Sequence, residues 1–170
     1  MSNGISGESM RPLYETKEHV ERETALAMSI EAYGTAQVNK TVKLRKMPIK
    51  YGLDFAMIVG GRVIAFAELK CRKYSYAEID SLGGYMLDLM KITRIIEHIN
   101  NTGLPVHLFV ELKGEVYHAK FTDKPKFKLV FGGRNDRDDW QDNGPMGLIP
   151  MSEFKKLDIV FRDKQPVAAE

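Results

Sequence analysis

Hydrophobic positions change their period along the chain, and each change marks a predicted element. Over residues 14–33, Leu26, Ala27, Ile30 and Tyr33 recur at helical spacing, which predicts a helix stopped by Gly34. Residues 39–50, "NKTVKLRKMPIK", alternate in part and carry Lys40, Lys43, Arg45, Lys46 and Lys50 with no acid. Pro48 excludes a central strand, so an edge strand or extended arm is expected. "LDFAMIV" and "RVIAFAELK" then flank Gly60-Gly61, a hairpin signal. Both runs are apolar on both faces, so the hairpin should be covered on both sides. Residues 76–100 read as one long helix with a weak point at Gly83-Gly84. "PVHLFVEL" and "EVYHAKF" predict two strands around Lys113-Gly114. In the tail, "FGGRNDRDDWQDNGPMG" reads as loop and "MSEFKKL" as a short helix.

Helix, strands, helix, strands is the order of an α/β domain, with a central mixed β-sheet flanked by helices. The 170 residues suit one domain, and 44% hydrophobic content can fill its core. We divide the chain into a flexible N-terminal arm (1–13), a core (14–121) and a C-terminal extension packed on the same domain (122–170). A net charge of +2 does not by itself announce a nucleic-acid partner. The single cysteine, Cys71, allows no internal disulfide and fits a reducing, cytoplasmic setting. No run approaches membrane-spanning length, and "MSNGISGESMRP" lacks the apolar centre of a secretory signal.

Charge changes the picture inside the hairpin. Glu68 and Lys70 sit two apart within an apolar strand, hence on one face. Whether Asp54 joins them depends on register. A strict two-residue turn at Gly60-Gly61 places Asp54 opposite Ala67, on the wrong face. A three-residue loop or a bulge places it opposite Glu68. Two adjacent carboxylates repel unless a cation or proton lies between them. Oxygen donors on a partly open site suit Mg²⁺, with Mn²⁺ able to substitute. Such an ion activates water and neutralises phosphate charge, while Lys70 stabilises the charge that builds up in reaction. That is the chemistry of phosphodiester hydrolysis. The structural alternative is a surface ion pair at a strand end, with Asp54 as a cap.

Asp54 followed by Glu68-Leu69-Lys70 on two apolar strands resembles the signature of the PD-(D/E)XK nuclease superfamily. Leu53 stands where that family often has proline. The resemblance covers residues 15–121 and is nearest to archaeal Holliday-junction resolvases and phage nucleases, which also carry an "ERE" early in the first helix, here Glu21-Arg22-Glu23. It implies a restriction-endonuclease-like core and a Mg²⁺-dependent enzyme cutting DNA, endonucleolytic rather than exonucleolytic, with branched or phage DNA as candidate substrates and a bacterial host cell as the setting. Asp54 and Glu68 would hold the metal with the Leu69 carbonyl, and Lys70 would complete the catalytic set. Glu23, with Leu26, Ala27 and Ile30 at +3, +4 and +7, is the first choice for a supporting carboxylate; Glu21 is the alternative. Many such enzymes are homodimers, and the long helix is the candidate contact.

Lys43, Arg45 and Lys46, with Arg72 and Lys73 beyond the motif, are candidate DNA contacts, although basic runs are usually solvated faces. Tyr74 and Tyr76 are candidates for nucleotide contact or for packing. The four histidines show no paired metal spacing, and Cys71 should face away from Glu68. Residues 136–144 fail as a calcium loop because Trp140 fills a ligand slot and Gly147 replaces the closing Glu, which leaves Trp140 as an expected packing anchor. No P-loop is present. Two other functions share these features: a non-catalytic nucleic-acid-binding or assembly protein on the same fold, and a nuclease acting on RNA.

Overall fold

The computed structural model describes residues 16–134 and 140–161. The N-terminal arm expected over 1–13, residues 136–139 of the calcium-loop segment and the last nine residues lie outside them. Helix α1 (Lys17–Val38) is followed by strands β1 (Val42–Lys46), β2 (Phe55–Val59) and β3 (Arg62–Arg72). A short helix α2 (Tyr76–Ser81), strand β4 (Tyr85–Asp88) and helix α3 (Leu89–Thr102) come next. Strands β5 (Val106–Leu112), β6 (Glu115–Phe121), β7 (Lys128–Gly133), β8 (Asn143–Ile149) and β9 (Lys155–Lys156) follow within the described residues. One six-stranded sheet runs β1-β2-β3-β5-β6-β9; a second runs β4-β8-β7. Among the described residues only β3 and β5 pair in parallel, across the α2-β4-α3 connection, so the main sheet is mixed as expected.

The alternation of β2 and β3 sorts side chains to two covered faces. Phe55, Ala67, Leu69 and Phe109 meet Leu26, Ala27 and Ile30 of α1. Phe66, Leu108 and Val110 meet Ile92 and Ile95 of α3, with Tyr85 and Ile149 of the second sheet. α1, the main sheet and the α3 layer are thus stacked, and Glu68 and Lys70 point into the α3 side.

Helix α1 does not stop at Gly34. It continues to Val38 and ends at Asn39, whose φ of 51° gives the left-handed cap. Gly34 serves packing instead: a Cβ there would lie 3.3 Å from Val42 of β1. The long helix expected over 76–100 is two helices with a strand between them. Ser75 and Glu78 form a capping box that starts α2. Gly83 and Gly84 then break the helix, because the backbone of Gly84 passes so close to β8 that a Cβ would sit 2.2 Å from the Ile149 carbonyl oxygen. Beyond them Tyr85↔Ile149 begins the β4–β8 ladder. The tail read as loop is likewise a β7–β8 hairpin. "MSEFKKL" gives only a 3-10 turn and the two-residue β9. Trp140 is 82% exposed, not the packing anchor expected, whereas Tyr76 packs on Tyr117 and donates to the Met151 carbonyl.

Buried charge on the α1 side is paired. Arg22 sends two nitrogens to the fully buried Glu111 carboxylate, the closest contact at 2.8 Å, and Glu111 also accepts from the Gly114 N–H. This gives the middle residue of Glu21-Arg22-Glu23 a structural role. Among the described residues no helix is long and apolar enough to cross a membrane.

Two substitutions test these constraints. Gly84→Ala should cost about 3 kcal/mol, because the clash is with backbone. Gly103→Ala, also at positive φ but facing open space, should cost about 1 kcal/mol. Denaturant unfolding checks the difference, and equal losses would refute the close-approach explanation. Arg22→Met, which removes the guanidinium from Glu111, should cost about 3–5 kcal/mol in the same assay. Glu21 is well exposed, and Glu21→Gln should leave the midpoint nearly unchanged.

Candidate active site

The register of the β2–β3 hairpin decides whether an acid pair exists. Gly60 and Gly61, at φ 57° and 74°, make a two-residue turn that pairs Val59 with Arg62 and Ile58 with Val63. The pairing then shifts: Met57 meets Ala65 and Phe55 meets Ala67. Ile64 is the extra residue of a β-bulge. The three-residue loop is therefore not used; the bulge does its work. One step beyond Phe55↔Ala67, Asp54 falls level with Glu68.

Lys70 binds the pair together. Its Nζ lies 3.1 Å from Asp54 Oδ2 and 2.6 Å from Glu68 Oε1. Glu68 is fully buried, while Asp54 and Lys70 are about one-fifth exposed, so the cluster opens to solvent on one side. A second ammonium, which the sequence reading missed, reaches the same acid. Lys91 Nζ on α3 is 3.0 Å from Glu68 Oε1 and 3.1 Å from Oε2, and donates to the Gly52 carbonyl at 2.7 Å. No local signal marked it: in a helix read over 76–100 Lys91 lies mid-helix, and only the break at Gly83-Gly84 puts it in a first turn, where the helix dipole leaves a cation needing a partner elsewhere.

These charges set one another's protonation. Burial alone would raise the Asp54 pKa, but the Lys70 and Lys91 ammonium groups hold it below the usual value. Burial keeps the Glu68 pKa raised, with Asp54 adding to the effect against the pull of Lys70. Burial works against the Lys70 ammonium, yet Glu68 and Asp54 outweigh it and keep the amine firmly protonated. Glu68 is thus the member of the pair that takes a proton first.

Glu68 Oε1 has two ammonium groups within 3.0 Å but no aligned hydrogen bond. Its charge is balanced without being directionally satisfied, which suits a small, non-directional cation. Among the described residues no group of three or more His, Cys, Asp or Glu side chains forms a cage. Two carboxylates with the remaining positions left to water and substrate oxygens is a donor set that fits Mg²⁺ or Mn²⁺.

The other candidates are placed as follows. Leu69 buries its side chain on the α1 side, leaving only its backbone to serve the pair. Glu23 is turned inward as its spacing implies, but its carboxylate pairs with Lys46, whose ammonium lies over the Phe55 ring. That places Glu23 and Lys46 on the α1 face, across the sheet from Glu68. Arg45 is exposed on the same side of the sheet as Glu68, and Lys43, next but one on that side, reaches round to 3.9 Å from Glu31. Arg72 lies over the buried Tyr85 ring, while Lys73 and Tyr74 are exposed. His107 and His118 do meet, at 2.7 Å between ring nitrogens, on the face away from Glu68. Burial and the neighbouring His118 lower the His107 pKa to about 4, which keeps its ring neutral near pH 7.

Cys71 packs toward α1, away from Glu68, and burial with the nearby Glu111 pushes its thiol up to about 12 from 9.0. At pH 8 that reduces the thiolate fraction roughly a thousandfold, against a nucleophilicity gain of about twentyfold. Alkylation of the native protein should therefore run about fiftyfold slower than in urea. Equal rates, measured by mass spectrometry, would contradict this environment.

No curated protein and no solved structure matches the chain. A family model does, and it continues past residue 121, where the motif resemblance ends, through β8 and into β9. The match spans residues 9–157, and the chain belongs to the family described as "Phage putative PDDEXK endonuclease".

Proposed function

We propose that the protein is a metal-dependent DNA endonuclease whose active site is Asp54, Glu68 and Lys70. The observation that carries this reading is the bulged register, which sets Asp54 level with Glu68 and puts Lys70 in contact with both. A bulge is a local cost that a mere surface ion pair would not need. Asp54 and Glu68 would hold Mg²⁺, joined by the Leu69 carbonyl, which when bound supplies a water of lowered pKa and positive charge beside a phosphate. Lys70 stays protonated, orients the attacking water through its N–H groups and stabilises charge on the phosphorus oxygens. The closed side of the site, built by Phe66, Ile92 and Tyr85, limits water and strengthens these interactions.

Arg45 and Lys43 on the Glu68 side of β1, with Lys46 on the other face and Arg72 and Lys73 beyond the end of the motif, are the candidate phosphate contacts. Lys46 and Arg72 are engaged with Glu23 and Tyr85, so Arg45, Lys43 and Lys73 are the first choices. Glu23 acts at a distance in this scheme, by holding Lys46. Branched or phage DNA as substrate, dimeric assembly and a cytoplasmic setting in a bacterial host belong to the same proposal.

The test is cleavage of a panel with Mg²⁺ or Mn²⁺: linear duplex, single strand, nicked circle, four-way junction and RNA. Wild-type protein should cut DNA, and a chelator should abolish the cut. Asp54→Ala and Lys70→Ala should each lower the rate at least a hundredfold, about the size of a lost metal ligand or charge-stabilising group. Glu23→Gln should lower it far less. Undiminished cutting by Asp54→Ala would overturn the site, and no cutting of any substrate would leave a binding protein.

A further inference from the structure

Lys91 has a position that neither helix stability nor packing explains. It sits in the first turn of α3, three residues after the N-cap Asp88, where the helix dipole disfavours a cation. It is held by three oxygens instead: both of Glu68, and the Gly52 carbonyl in the loop two residues before Asp54. With both acids ionised, the pair Asp54 and Glu68 faces the pair Lys70 and Lys91, and the formal charge of the cluster is zero. Adding a divalent ion makes it +2. A divalent ion held by Glu68 would also meet an ammonium already touching both oxygens of that carboxylate.

The two lysines are not equally tied. Lys70 touches both acids, but Lys91 touches one acid and a neutral carbonyl. Lys91 is therefore the cation that gives way. An incoming phosphodiester offers its charge a new partner and at the same time offsets the excess positive charge of the loaded site.

Resting on the nuclease reading, we propose that Lys91 is a resident cation that competes with the divalent ion for Glu68, so that metal binds tightly only together with DNA. Lys91 is then a positioning residue that couples the two ligands. By linkage, DNA tightens metal binding by the same factor that metal tightens DNA binding.

Mn²⁺ titration by calorimetry, without DNA, tests this on wild type, Lys91→Gln and Lys91→Arg. Removing the charge should tighten Mn²⁺ binding about tenfold, and keeping it in Lys91→Arg should leave binding within about threefold of wild type. A merely structural Lys91 predicts the opposite sign, because a loosened site binds less. Wild-type binding that Lys91→Gln leaves unchanged or weakens would overturn the inference and spare the metal site. Mn²⁺ failing to bind wild type at all, with or without DNA, would overturn both. Should Lys91→Gln not fold, wild type alone decides. A phosphorothioate duplex should raise its Mn²⁺ affinity at least tenfold, and an affinity indifferent to the duplex would refute the coupling.

Discussion

A fully buried carboxylate, Glu68, is the constraint around which this molecule is arranged. An isolated ionised group there would cost many kcal/mol, or would simply take up a proton. Two elements compensate it: β3 brings Lys70 from two residues along, and α3 brings Lys91, while the bulge brings Asp54, a second negative charge that shares Lys70. Compensation remains incomplete, since Oε1 has charge beside it but no aligned donor. A site that were only structural would gain by finishing that arrangement or by replacing it with apolar side chains of similar volume. The unfinished state fits the metal site proposed above.

The same arrangement explains why the connection between β3 and β5 is so long for its two short helices. It must carry α3 back across the sheet with Lys91 aimed at Glu68, and it does so by inserting β4 between α2 and α3. β4 gains its partner from β8, far along the chain, so the C-terminal part of the protein closes the wall behind the acid pair. Tyr85, Ile149, Met151 and Phe154 all belong to that wall.

How legible this was depended on sequence distance. The β2–β3 and β5–β6 hairpins were readable because their signals, Gly60-Gly61 and Lys113-Gly114, are local. The motif Asp54, Glu68, Lys70 was readable for the same reason, and its geometry even required a longer loop or a bulge. Which of the two occurs was not readable, because Ile64 looks like any strand residue. The break at Gly83-Gly84 was visible only as a weak point. Its cause is the close passage of Ile149, which no local pattern contains. Lys91 was missed because a helix reading assigns lysines to solvent. Gly34 misleads in the other direction: its pattern is that of a stop signal, but its lack of a side chain serves Val42.

β1 has one further consequence. It is the edge of the six-stranded sheet, and one side of its backbone has no neighbouring strand within the described residues. Lysine and arginine on such an edge keep other chains from adding to it. Lys43, Arg45 and Lys46 therefore guard the sheet against self-association whatever else they bind. Neutralising them would weaken contact with a polyanion and at the same time expose an open ladder. On the proposed nuclease reading, affinity for nucleic acid and colloidal behaviour would rest on the same edge residues, so that neither could be relaxed without disturbing the other.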